Sequence, residues 1–125
     1  MTATTTLEPA HVAMPELDAG ALARLGAALA SERAALGDVV AERAATVAEL
    51  TGQGDVDSLL EREVADASAA RALDAIEDID AALARIDAGT YGLCEACRRP
   101  IPVERLEVIP HARLCVPCSA RPESR

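Results

Sequence analysis

Two long stretches of the chain repeat their apolar residues with a helical period, and one break separates them. In the first, Leu22, Leu25, Leu29, Leu36, Val39, Val40, Val47 and Leu50 recur at spacings of three, four and seven, which places them on one stripe of an α-helix. The helix is expected to start near Pro15 or Glu16, because proline and acids suit a first turn, and to run to about Leu50. Thr51-Gly52-Gln53-Gly54-Asp55 interrupts the pattern with two glycines and reads as a turn. Helix resumes near Asp57 or Ser58, either of which can cap it. Its predicted stripe is Leu60, Val64, Ala67, Leu73, Ile76, Ile79, Leu83 and Ile86, and Gly89 then fits a helix stop.

Neither stripe can stay in water. Two amphipathic helices of similar length, joined by a tight turn, fold back most simply as a long antiparallel coiled-coil hairpin. Pairing within one chain gives a monomer; the same stripes pairing between two chains in a dimer is the alternative.

Composition sharpens this. Half the residues are hydrophobic, but much of that share is alanine, and Tyr91 is the single aromatic. Alanine buries little area and favours helix, so helical pairing is expected in place of a thick globular core. Charge is unevenly spread. Residues 1–89 hold 17 acids against 6 arginines, a balance of −11, whereas residues 90–125 hold 4 acids against 6 arginines, a balance of +2. An acidic body repels phosphate backbones, and the C-terminal third lacks a basic recognition helix, so direct DNA binding is not expected. No segment reaches the roughly 18–20 uninterrupted apolar residues of a membrane helix. The N-terminus has neither the positive charge nor the apolar run of a signal peptide. A cytoplasmic protein with reduced thiols is the expectation.

Those thiols form two pairs, Cys94-Glu95-Ala96-Cys97 and Cys115-Val116-Pro117-Cys118, with 17 residues between the pairs. That is the spacing of a four-cysteine zinc site. Two intervening residues let both thiolates of a pair reach one ion about 2.3 Å away, and two such knuckles complete a tetrahedron. With every position taken by sulfur, the zinc is structural and not catalytic. Two disulfides would need an oxidising compartment, and a CxxC oxidoreductase a βαβ context that is absent. His111, four residues before Cys115, reads as a surface residue beside four sufficient cysteines, and His11 has no role. Arg98, Arg99 and Arg113 either offset the −2 charge of a zinc tetrathiolate or simply face solvent. Zinc binding contributes roughly 10–16 kcal/mol in small peptides, more than burial of Leu93, Ile101, Leu106, Ile109 and Leu114 could supply. The fold class is therefore mainly α: a hairpin over 15–89 with its turn near 51–57, then a small four-cysteine zinc finger over 90–120. Disordered tails are expected at 1–14 and 121–125.

The finger sequences IDAGTYGLCEAC (86–97) and RPIPVERLEVIPHARLCVPC (99–118), following an acidic helical hairpin, resemble the DksA/TraR family of bacterial transcription regulators. The resemblance covers about 16–118. It implies a protein that binds RNA polymerase without touching DNA, its coiled coil entering the secondary channel with acids at the tip. The family's tip pattern is Asp-x-x-Asp-x-Ala; here the turn offers Asp55 and Asp57, one residue apart, as the corresponding partner-binding acids. Ile109 stands where larger members often carry an arginine that helps bind (p)ppGpp, so the resemblance does not carry alarmone response onto this chain. A zinc-stabilised helical adaptor with a different protein partner is the alternative function. No nucleophile–base set, phosphate loop or open metal position is present, and an enzyme is not expected.

Overall fold

The computed structural model describes residues 17–121. The expected tail at 1–14, the expected helix start at Pro15 or Glu16, and residues 122–125 of the expected C-terminal tail lie outside them. Among the described residues four helices follow in order: α1 (Ala19–Leu50), α2 (Val56–Ala88), α3 (Val103–Val108) and α4 (Val116–Ser119). α1 and α2 pair within the chain as a hairpin, and no strand occurs among the described residues. No helix among them is long and apolar enough to cross a membrane.

Both long helices begin on an aspartate. Residues 17 and 18 are not helical, and the Asp18 carboxylate accepts the Ala21 backbone N–H at 2.8 Å. This satisfies one of the orphan donors of the first turn. At α2 the cap is Asp55, whose Oδ2 accepts the Ser58 N–H at 3.0 Å. Neither Asp57 nor Ser58 takes that place: both lie inside the first turn, where Asp57 suits the helix dipole. α2 stops at Gly89, whose φ of 81° is the left-handed conformation that glycine adopts without strain. The Thr90 N–H reaches Arg85 O at 2.9 Å and the Gly89 N–H reaches Ile86 O at 3.2 Å, the paired bonds of a Schellman stop.

The described residues divide into two compact units, 17–29 with 80–121 and 30–79. In the first, Ala21, Leu25, Leu29 and Ala82 are buried, with Leu83 and Ile86 half-buried. In the second, the seam differs from the expected one. Ser58, Ala65, Ala72 and Ile79 are buried, one every seven residues, and Arg62, Ala69 and Ile76 between them are half-buried. The predicted positions Leu60, Val64 and Leu73 are 55%, 67% and 51% exposed, and Ala67 is exposed as well. A strict seven-residue repeat fixes which face meets the partner helix. Apart from Arg62, small residues occupy that face over 58–72, while Leu36, Val39, Val40, Val47 and Leu50 of α1 are half-buried.

Hydrogen bonding by Ser58, from its hydroxyl and its backbone N–H, holds the Asp55 carboxyl below its ordinary 3.8. The hydroxyl has one proton and also lies 3.0 Å from Gln53 Oε1, so the backbone donor is the contact that persists in either orientation. A carboxyl with a depressed folded pKa stabilises the fold above its unfolded value and loses that contribution as pH falls through the folded one. The Tm of the native chain should therefore drop below pH ~4 relative to an Asp55→Asn variant, because asparagine caps equally well without titrating. Parallel Tm curves for the two chains from neutral to acid pH would contradict the cap.

Candidate metal centre

The first knuckle hangs on a short bridge. Leu93 and Pro100 pair antiparallel, with the Cys94 N–H on Arg99 O at 2.8 Å and the Ile101 N–H on Gly92 O at 2.7 Å. Between them the chain turns through Cys97 and Arg98. The Arg98 N–H returns to Cys94 O at 2.9 Å, and its φ of 66° puts a non-glycine residue in the left-handed region, at a cost of about 1–2 kcal/mol. The Cys97 N–H points at Cys94 Sγ, 3.5 Å away. The second knuckle leads into α4: Cys115 caps it in extended conformation, Pro117 fills its first turn, and Cys118 lies within it.

These two local structures bring all four sulfurs within 4.8 Å of one another. Ligands at ~2.3 Å from one ion in a tetrahedron stand about 3.8 Å apart; Cys97 Sγ and Cys115 Sγ are 3.7 Å apart. Cys94, Cys115 and Cys118 are buried, Cys97 is exposed, and none forms a disulfide. The sulfurs' own electrostatics fit a cation. Burial pushes the Cys94 thiol up, but backbone hydrogen bonds from Cys115, Cys97 and Ala96 outweigh it and bring the thiol down to about 6. Cys118 goes the other way, to about 12, through its hydrogen bond with the Cys115 thiol and its burial. Crowded thiols oppose one another's ionisation, whereas a bound divalent ion stabilises all four as thiolates. The cysteines are positioned to hold one zinc ion.

Around them the module is small. Ile101 and Leu106 are buried, while Leu93, Ile109 and Leu114 are half-buried. Tyr91 is 4% exposed, and its hydroxyl donates to Pro110 O at 2.8 Å, tying the two halves of the finger. Burial raises that phenol to about 12, although Arg85 opposes the shift. His111 is half-buried and does not join the sulfur cluster.

Three side chains that the spacing of the cysteines did not reveal hold the module in place. Arg85, near the end of α2, donates to Ala112 O at 3.3 Å and to Glu95 Oε2 at 3.5 Å. Glu95 also accepts from Arg113 at 3.4 Å. Arg105 of α3 donates to Leu114 O at 3.1 Å, immediately before Cys115. Of the three arginines beside the cysteines, Arg98, Arg99 and Arg113 are all exposed, and Arg113 is paired with Glu95. In the other unit Asp55 and Asp57 are both exposed.

The described residues thus combine a helical hairpin with a four-cysteine finger. The prokaryotic dksA/traR C4-type zinc finger matches residues 89–124. The finger region of the chain is thus of the DksA/TraR type. Among curated proteins, the RNA polymerase-binding transcription factor DksA of Caulobacter vibrioides is 44% identical over 50 residues, 40% of this chain and 35% of that protein. General stress protein 16O of Bacillus subtilis is 44% identical over 45 residues, 36% of this chain and 28% of that protein. The matches thus span about a third of the length of these relatives. Transcription factor DksA2 of Pseudomonas aeruginosa has the same fold, with a TM-score of 0.77 at 24% identity over 88% of each chain.

Proposed function

We propose that the chain binds RNA polymerase through its acidic hairpin, reaching the secondary channel, and regulates transcription without contacting DNA. The observation that carries the reading is the union of two features in one chain: the DksA/TraR finger at 89–124 and exposed acids, Asp55 and Asp57, where α2 begins. Two relatives named as RNA polymerase-binding transcription factors each match this chain over 50 residues. An acidic segment is attracted into a positively charged channel and repelled by DNA. Zinc, held by Cys94, Cys97, Cys115 and Cys118, is structural: it cross-links the two knuckles and, with four sulfurs in place, leaves no position for a substrate or a reactive water. The chain is not an enzyme in this reading.

The test separates docking from action. Asp55→Asn with Asp57→Asn keeps the cap of α2 and removes two charges, so the fold survives. The doubly substituted chain should still be retained by core polymerase while its effect on a responsive promoter falls about tenfold or more, a loss of ~1.4 kcal/mol. Full regulation by the variant would remove these acids from the mechanism. Loss of all retention by the native chain would favour the adaptor alternative.

A further inference from the structure

We infer that residues 30–79 carry a second contact face through which two copies of this chain pair, α2 against α2, antiparallel about a two-fold axis at Val64. The face runs beside the seam inside the hairpin and meets it at Ala65. Leu60 and Val64 lie on it, 55% and 67% exposed, with exposed Ala67 continuing it and exposed Asp57 and Arg71 at its ends. The spacing 57, 60, 64, 67, 71 is a heptad pattern, so these side chains form one stripe on a helix. Asp57, Leu60, Val64 and Arg71 line an open groove beside α2, completed by Glu61, Ala65 and Ser68 of α2 and by Arg43 and Thr46 of α1.

The charges say what covers it. Asp57 and Arg71 each stand seven residues from Val64, about 10 Å along the helix to either side. Arg43 donates to Ser68 Oγ at 3.2 Å, which places it toward the Arg71 end, whereas Glu61 lies toward Asp57. The groove is thus negative at one end, apolar in the middle and positive at the other. A two-fold axis through Val64 lays Asp57 against Arg71 of the partner subunit, and Arg71 against the partner's Asp57, with Leu60 and Val64 of both copies between. An isologous contact needs self-complementarity of this kind. An unrelated acidic or basic helix would satisfy one end and be repelled by the other. The inference stands on 30–79 alone and does not depend on polymerase binding, although in the pair Asp57 is covered, so pairing and use of Asp57 at the tip exclude each other.

The experiment is sedimentation equilibrium of the full zinc-loaded chain across a range of concentrations at low salt, with helicity checked by circular dichroism. The native chain should pass from 13.0 kDa to twice that mass as concentration rises. Val64→Glu sets two carboxylates across the axis and should abolish the heavier species. Asp57→Arg and Arg71→Asp should each weaken pairing about tenfold, since each creates two like-charge contacts per dimer, and the two together should restore it to within about threefold. All of these positions are exposed, so helicity is retained. A native chain monomeric throughout, a dimer indifferent to Val64→Glu, or a double reversal that fails to rescue would each overturn the inference.

Discussion

Removing zinc with a strong chelator, or replacing Cys115 by alanine, should unfold the finger while leaving most of the helicity intact. Four-cysteine sites in small peptides contribute roughly 10–16 kcal/mol. The buried apolar residues of the module outside the cysteines number few and small, Ile101, Leu106 and Ala112 beside Tyr91. Nothing else in residues 90–121 can replace that stabilisation. The chain supplies its own reporter, because Tyr91 is the single aromatic and lies in the finger. In the zinc-loaded protein its phenol should ionise near pH 12. Once the metal is stripped, ionisation should move to the ordinary value of about 10, and the near-ultraviolet dichroism of the ring should vanish. A raised phenol pKa favours the neutral ring, so this contribution to stability is present below pH ~10 and lost as pH climbs toward the folded value. A finger that keeps its tyrosine signal without metal would contradict the account of what folds it.

The second large effect belongs to the hairpin. Ile79 is fully buried, as is Leu29. Truncating Ile79 to alanine leaves a cavity and should cost about 2–5 kcal/mol in chemical denaturation. Val64→Ala, at a position 67% exposed in the single chain, should change stability by less than about 0.5 kcal/mol when measured at concentrations where the chain is monomeric. The contrast decides between two placements of the seam. Equal losses at both positions would restore the stripe read from Leu60 and Val64.

That stripe shows where the sequence stops being readable. From Ile76 to Ile86 the large apolar residues Ile76, Ile79, Leu83 and Ile86 are buried or half-buried, and Leu25 and Leu29 are buried as expected. Upstream on α2 the seam is made of Ser58, Ala65 and Ala72. In a chain so rich in alanine a buried alanine looks like any other, and the larger Leu60, Val64 and Leu73 dominate any count of hydrophobicity. Extending the heptad backward from Ile79 by sevens would have found the right residues. The cap of α2 was legible in kind and displaced in position. Asp55 precedes the helix and reaches the backbone three residues on, and Asp57, two places away, differs only by geometry that the sequence does not display.

The gathering of the four cysteines was legible, because ligand chemistry limits which residues at which spacing can close on one ion. Its supports were not. Arg85 and Arg105 act by donating to the backbone carbonyls of Ala112 and Leu114, and a carbonyl leaves no mark in a sequence. Their signal, had it been sought, was the presence of arginine at positions half-buried in a small module, where an unpaired charge is costly.

The most direct test is a titration of core RNA polymerase with the zinc-loaded chain, followed by competition with a hairpin-deleted chain that retains the finger. Saturable one-to-one binding that the finger alone cannot displace is the predicted result. No association, with zinc bound and both helices formed, would show that a DksA/TraR-type finger and acidic charge do not make this hairpin a polymerase ligand.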